Sequence, residues 1–163
     1  RFGLEIEFAG QPDRLIEELR REGLSSATRM HGYIGHSNDE WIVKRDGSVN
    51  NGGELVGPPL DFDNPEERGQ IARAVAAMQR AGCTPDQSAG IHVHVEATDL
   101  NARQVAAVGR SFAKYEDAIY RLASSGWETM RRAAHTYAKP LSDEQRKSVV
   151  AFADGYTLRR PFS

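Results

Sequence analysis

The fold of this chain is predicted chiefly from the stretch Gly90-Ile91-His92-Val93-His94-Val95-Glu96. It alternates apolar and polar residues, which is the pattern of a half-buried β-strand. The two imidazoles then share a face with Glu96, and an imidazole shielded from water needs a hydrogen-bonding partner. The stretch therefore predicts a strand that buries its apolar side against helices and lines a cleft with His92 and His94.

The segment Phe2-Gly3-Leu4-Glu5-Ile6-Glu7-Phe8 has the same alternation at the start of the chain. Its apolar side chains share one face, and Glu5 and Glu7 lie on the other, about 7 Å apart along the strand. Two carboxylates so placed repel each other unless a cation lies beside them. We therefore expect both strands to lie in one sheet and to turn their polar faces towards a common divalent cation.

Length and composition indicate one soluble globular domain. The chain has 163 residues, of which 39% are hydrophobic and 27% charged, and its formal charge of −2 gives no reason to expect nucleic acid or an anionic membrane as a partner. The sequence starts at Arg1 inside a predicted strand, so we expect residues 1–163 to be a single domain truncated at both ends. The oligomeric state is left open.

The single cysteine, Cys83, excludes an internal disulfide and fits a reducing cytoplasm. Because it follows Gly82 at the end of a predicted helix, we interpret it as a small apolar residue rather than a nucleophile. No apolar run approaches the roughly 20 residues that span a bilayer.

Local signals elsewhere predict an α+β domain with strands early and helices late. The predicted elements are a helix over 13–21, strands over 41–44 and 54–56, a helix from Asn64 to Gly82, a long helix capped by Asp99, and a last helix that a Ser142–Gln145 capping box begins. The long helix carries an apolar stripe that we predict to be core: Val105, Val108, Phe112, Tyr115, Ile119 and Leu122.

Four blocks in this order resemble the amidoligase family, which belongs with glutamine synthetase and glutamate–cysteine ligase to the carboxylate-amine ligase superfamily. The blocks are Phe2–Phe8, Trp41–Val49, Gly53–Val56 and Gly90–Val95. Glutamine synthetases have a similar Glu-x-Glu strand and a similar His-x-His strand in the same order. The order of the blocks is far more specific than any one of them.

The resemblance implies a curved, mainly antiparallel sheet with helices packed on one face, as in the glutamine synthetase-like catalytic fold. Its concave face would bind Mg²⁺ or Mn²⁺ and ATP. Such enzymes phosphorylate a carboxylate and let an amine displace the phosphate, which forms an amide. The carboxylate and amine substrates remain open among small amino acids, peptides, cell-wall fragments and modified proteins.

The resemblance also implies roles for individual residues. The implied metal ligands are Glu5, Glu7, Glu54 and His92. His94 would contact a phosphate or the acyl phosphate, Asp46 would orient the amine or a metal-bound water, and Lys44 or Arg45 would hold phosphate. Lys44 could equally be a solvated strand residue. The family's late Glu-x-Arg strand has no counterpart before Ser163, so either the chain ends early, or Arg159 or Arg160 substitutes for its arginine, or the protein is no longer a full catalyst.

The chemistry of the donors is consistent with these roles. Mg²⁺ prefers oxygen ligands and is usually held by a few carboxylates together with nucleotide phosphates. A histidine in the set is compatible with Mg²⁺ or Mn²⁺ but also raises the chance of zinc. The sequence has no Gly-Lys-Ser/Thr phosphate loop, so the phosphates would depend on metal and scattered basic residues.

Three alternatives remain. A metal-dependent hydrolase also uses His-x-His on a strand, although the barrel form of that class needs about 250 residues. A catalytically inactive module could keep the sheet and its ligands. The polar face could also be merely solvated, as one face of an antiparallel sheet often is.

Overall fold

The computed structural model describes residues 1–33, 38–49, 51–85, 89–123 and 140–155, with side chains up to residue 151. Its elements are β1 (Phe2–Ala9), α1 (Pro12–Arg21), β2 (Ile42–Lys44), β3 (Gly52–Val56), α2 (Pro65–Ala81), β4 (Ile91–Val95), α3 (Ala102–Ala123) and α4 (Asp143–Gly155). The chain divides into two compact units, unit 1 (Arg1–Glu96) and unit 2 (Ala97–Ser163). The predicted α+β class is confirmed.

Unit 1 is built on one four-stranded sheet in the order β2-β3-β1-β4. All three strand pairs are antiparallel, which confirms the predicted pairing direction. The register sets Glu7 of β1 opposite Glu54 of β3, and Glu5 opposite His92 of β4. Because the pairing joins the first strand to the strand at Ile91, the two alternating segments are neighbours in one sheet.

Helices α1 and α2 cover the apolar face of β1 and β3. Leu15, Ile16 and Leu19 of α1 are buried in one cluster with Phe8 and Leu55 of the sheet, and α2 contributes Ala74, Ala77, Met78 and Ala81. Small side chains let α2 approach closely. The predicted helix from Asn64 to Gly82 is confirmed, since Asn64 accepts hydrogen bonds from the first turn and Gly82 ends the helix in a left-handed conformation with φ of 75°.

Cys83 packs against this core. Burial raises the pKa of its thiol to about 11. A thiolate is therefore scarce at neutral pH, which agrees with a packing role. Within the described residues, no helix combines the length and apolar character required to cross a membrane.

The expectation that β4 buries its apolar side against helices is wrong for the described structure. Ile91, Val93 and Val95 are 59% to 73% exposed. Their side chains continue the apolar face of β1, but β4 is the edge strand, and the core that α1 and α2 form with the sheet is centred on β1, β2 and β3. The alternation correctly predicted which side chains of β4 share a face, but the prediction that this face is buried was wrong.

In unit 2, α3 packs against α4 through a face that the sequence analysis did not select. The buried residues of α3 are Ala106, Ala113, Glu116 and Tyr120. The stripe predicted as core, from Val105 to Leu122, is 42% to 88% exposed, so that prediction is wrong. Both stripes have helical spacing, and only the position of α4 decides which of them is buried against it.

Capping boxes begin both helices that the structure describes in unit 2. Ser142 and Gln145 exchange side chain to backbone hydrogen bonds, as predicted. At α3 the same exchange joins Asn101 and Gln104, so Asn101 rather than Asp99 is the cap. Asn101 immediately precedes the first helical residue, which is why its side chain reaches the free amides. The sequence from Trp127 to Tyr156 also predicts two helical pieces broken at Pro140, and the first of these lies outside the described residues as far as residue 139.

A buried ion pair fixes α4 on α3. Glu116 is 1% exposed, with Oε2 2.7 Å from Arg146 Nη2, and its Oε1 accepts a hydrogen bond from the amide of Leu141. Arg146 also donates to the carbonyl of Ala113 and to Asp117. The guanidinium thus bridges the two helices near the start of α4.

We expect Glu116→Ala to lower the free energy of unfolding of the α3–α4 pair by about 3 kcal/mol, because it leaves part of a buried ion pair uncompensated. Hydrogen exchange of the α4 amides would measure the loss. The matched control is Asp117→Ala, which removes the exposed partner of the same Arg146 and should cost less than about 1 kcal/mol. Equal losses in the two variants would contradict the structural role of Glu116.

Candidate functional site

Strand register places the predicted site residues on one face of the sheet. Directly paired residues of antiparallel strands point to the same side. Glu54 is opposite both Lys44 of β2 and Glu7 of β1. Two residues before Glu7 in β1, Glu5 is opposite His92. Two residues earlier again, Gly3 is opposite His94. The expected common polar face is therefore present, and it extends across all four strands.

The side chains on this face are within contact distance of one another. His92 Nδ1 lies 3.1 Å from Glu5 Oε2 and 3.8 Å from Glu54 Oε1, while His92 Nε2 lies 3.6 Å from Glu7 Oε1. His94 Nε2 is 3.2 Å from Glu5 Oε2. Lys44 Nζ is 2.8 Å from Glu54 Oε2 and 3.6 Å from Glu5 Oε1. We call Glu5, Glu7, Glu54, Lys44, His92 and His94 the polar cluster.

Burial within the polar cluster increases from β4 towards β3. The side chain of His94 is 66% exposed and that of His92 50%, whereas that of Glu54 is only 3% exposed. The carboxylates thus lie at the base, and the imidazoles lie at the open side on the edge strand. A ligand could reach the carboxylates from the side of β4.

The electrostatics of the cluster differ from one carboxylate to the next. Burial alone would raise the pKa of Glu5, but hydrogen bonds with His94 and His92 and the charge of Lys44 outweigh it and hold the pKa at about 2. Burial and the charges of Glu5 and Asp46 raise the pKa of Glu54, although Lys44 opposes them. Burial would lower the pKa of Lys44, but its hydrogen bond and charge interaction with Glu54 raise it.

Two donor sets in this region could hold a cation, and they share Glu54. One set is Glu5, Glu54 and His92, and the other is Glu7, Asp46 and Glu54; in each set the possible ligand atoms lie within 4.8 Å of one another. An octahedral Mg²⁺ ion has its ligands at about 2.0–2.1 Å, so opposite ligands are about 4.2 Å apart. Small side-chain shifts would bring each set within reach of one ion, and the oxygen-rich donors fit Mg²⁺ or Mn²⁺.

The remaining predicted residues fall into three groups. Asp46 is near Glu7 and Glu54, and its Oδ1 accepts hydrogen bonds from the amide and hydroxyl of Ser48 at 2.6 and 2.5 Å. Arg45 is exposed beyond the end of β2 and, within the described residues, forms no ion pair with the polar cluster. Arg159 and Arg160, named as possible substitutes for the family's late arginine, lie outside the described residues.

Gly90 is a contributor that sequence reasoning missed. Its amide donates a 2.6 Å hydrogen bond to Glu7 Oε2, and its carbonyl accepts one from the Glu7 amide. A Cβ at this position would lie in van der Waals contact with the carboxylate, 3.4 Å from Glu7 Oε2. The available signal was a glycine directly before the His-x-His strand, a position where close approach of the backbone is common.

Buried carboxylates with displaced pKa values, gathered beside histidines at an open face, are typical of an enzyme active site. The family described as "Putative amidoligase enzyme" matches residues 1–160, and the chain belongs to that family. Membership confirms the resemblance and indicates an enzyme of the ligase class that forms amide bonds. No curated protein and no solved structure matches the chain.

The low pKa of Glu5 has a measurable consequence in metal-free protein. Because the folded value of about 2 lies below the ordinary 4.5, ionised Glu5 stabilises unit 1 above pH 4.5, and this contribution is lost as the pH falls to about 2. NMR of isotope-labelled glutamate carboxyl carbons should show Glu5 titrating near pH 2. We expect His94→Gln to raise the pKa, and an ordinary value in the wild type would contradict the hydrogen-bonded arrangement.

Proposed function

We propose that the protein is an ATP- and Mg²⁺-dependent carboxylate-amine ligase that acts through an acyl phosphate. The observation that carries the proposal is the convergence of Glu5, Glu54 and His92 within ligand distance of one another, on strands whose order along the chain is that of the amidoligase blocks. A solvated sheet face would have no need to bury Glu54 beside two other carboxylates.

The metal ligands proposed are Glu5, Glu7, Glu54 and His92. When bound there, Mg²⁺ would neutralise charge on the nucleotide phosphates and position them for transfer. Glu54 can serve at the base of the site because it is buried between β1 and β2 and belongs to both donor sets. Backbone contact from Gly90 keeps Glu7 oriented towards the same place.

In the first step an oxygen of the substrate carboxylate attacks the γ-phosphorus of ATP. The bond from that phosphorus to the β–γ bridging oxygen breaks, ADP leaves, and the substrate becomes an acyl phosphate. His94 is two-thirds exposed at the open side of the cluster, where it can donate a hydrogen bond to a phosphate oxygen. Lys44 is the second candidate for a phosphate contact, whereas the exposed position of Arg45 makes it the weaker candidate.

In the second step the amine nitrogen attacks the acyl carbon. The carbon–oxygen bond to phosphate breaks, inorganic phosphate leaves, and the nitrogen passes one proton to water as the amide forms. Asp46 is suited to orient the amine, since its carboxylate lies near Glu7 and Glu54 and the Asp46-Gly47-Ser48 turn fixes it. The substrates are a carboxylate and an amine whose identity is open.

The proposal includes the glutamine synthetase-like form of the fold. Its support is that the Glu-x-Glu strand β1 and the His-x-His strand β4 are adjacent and antiparallel, with Glu5 directly opposite His92. A cytoplasmic location is also proposed, on the evidence of a single cysteine in the sequence.

Divalent cation binding can be tested without knowing the substrate. Electron paramagnetic resonance of free Mn²⁺ should show binding by the wild type, and Glu5→Gln or Glu54→Gln should weaken it by roughly tenfold or more, because each removes a charged oxygen ligand. Glu17→Gln, on the exposed side of α1, is the matched control and should bind as the wild type does. Equal affinity in all four proteins would place the ion elsewhere.

Ligase activity can be tested with hydroxylamine as a general amine. With ATP, Mg²⁺ and a panel of amino acids, peptides and cell-wall fragments, an accepted carboxylate should yield a hydroxamate and one equivalent each of ADP and phosphate. Glu54→Gln should lower the rate by about 100-fold or more, while Glu17→Gln should not. Amide hydrolysis that requires Zn²⁺ and proceeds without nucleotide would instead support the metal-dependent hydrolase.

A further inference from the structure

Lys44 occupies a place in the polar cluster that differs from that of an ordinary phosphate-binding lysine. Cross-strand pairing sets it opposite Glu54, and its side chain is only 14% exposed. The ammonium lies 2.8 Å from Glu54 Oε2 and 3.6 Å from Glu5 Oε1. It is therefore directed to the carboxylates at the base of the site and not to the solvent in front of them.

The charge balance explains why a cation is needed there. Glu5, Glu7, Glu54 and Asp46 bring up to four negative charges to one small region. Within the described residues, Lys44 is the one lysine or arginine that forms ion pairs with them. Like charges this close, and partly shielded from water, destabilise the folded arrangement unless a positive charge lies between them.

A divalent ion would draw on the same two carboxylates that Lys44 contacts. Glu5 and Glu54, the two carboxylates that contact Lys44, are also the two carboxylates of the donor set that includes His92. An ammonium in hydrogen-bonding contact with a carboxylate and a divalent ion at about 2.1 Å from it would repel each other strongly. The ammonium lies on Glu54 Oε2 and Glu5 Oε1, whereas His92 Nδ1 faces Glu54 Oε1 and Glu5 Oε2. Both cations would therefore share the two carboxylates through different oxygens, and the ammonium would oppose ion binding by repulsion.

We propose that Lys44 is an internal counter-cation that keeps the carboxylates assembled without metal and that opposes the binding of a divalent ion by charge repulsion. The inference rests on the proposed function, since it concerns the same site. It makes Lys44 a positioning residue that weakens metal binding, a role opposite in sign to that of the glutamates.

The test is Mn²⁺ binding by Lys44→Met, which keeps the length of the side chain and removes its charge. We expect Lys44→Met to bind Mn²⁺ alone about tenfold more tightly than the wild type, or more. Lys114→Met is the matched control, because Lys114 is exposed on α3 beside Tyr115, and its affinity should equal that of the wild type. A merely structural role for Lys44 would not increase the affinity.

The other outcomes each have a fixed meaning. Equal or weaker Mn²⁺ binding by folded Lys44→Met, with binding by the wild type intact, overturns the inference and leaves the proposed ligase site standing. No Mn²⁺ binding by either protein overturns both. If Lys44→Met does not fold, the inference is tested on the wild type instead. NMR then follows the isotope-labelled lysine ε-carbons of the wild type during Mg²⁺ titration, and Lys44→Arg identifies the Lys44 signal. The Lys44 signal should move while the Lys114 signal stays, and a Lys44 signal unmoved at saturation overturns the inference.

Discussion

The repulsion among carboxylates on one face of a small sheet is the constraint on which the rest of this structure depends. Strand pairing brings Glu5, Glu7 and Glu54 together. It fixes their backbones a few ångströms apart even though the three carboxylates repel one another. Positive charge must compensate for them. In the described structure the Lys44 ammonium lies in contact with Glu5 and Glu54, His92 forms a hydrogen bond with Glu5, and the displaced pKa values of Glu5 and Glu54 reflect these contacts together with burial.

One face of the sheet packs into the hydrophobic core, and the other face carries the polar cluster. On the apolar face, α1 and α2 bury Phe8 and Leu55 and hold β1 and β3 rigidly in place. On the polar face, the same strands carry Glu7 and Glu54. The packing of the core therefore fixes the backbone positions of these two residues. His92 and His94 are on the edge strand and are more exposed. A site with a fixed acidic base and an open rim can admit a ligand without disturbing the core.

Sequence reasoning succeeded where a local rule had no competitor. Strict alternation identified β1 and β4, and the Ser142–Gln145 spacing identified the start of α4. It failed where two local solutions were equally good. Both Asp99 and Asn101 are suitable caps, and α3 has two stripes of helical spacing, one large and apolar and one containing Ala106, Ala113 and Glu116. Only the packing of α4, through Arg146, selects between those stripes.

The sequence by itself determined which side chains share a face, because alternation along a strand is a property of the local backbone. It also determined the family, through the order of four short blocks. The tertiary structure alone decided the distances across strands: that Lys44 lies against Glu54, that the Gly90 amide reaches Glu7, and that Asp46 lies near Glu7 and Glu54. Those contacts join residues far apart in the chain, and their register follows from how the whole sheet pairs and packs, which no local pattern encodes.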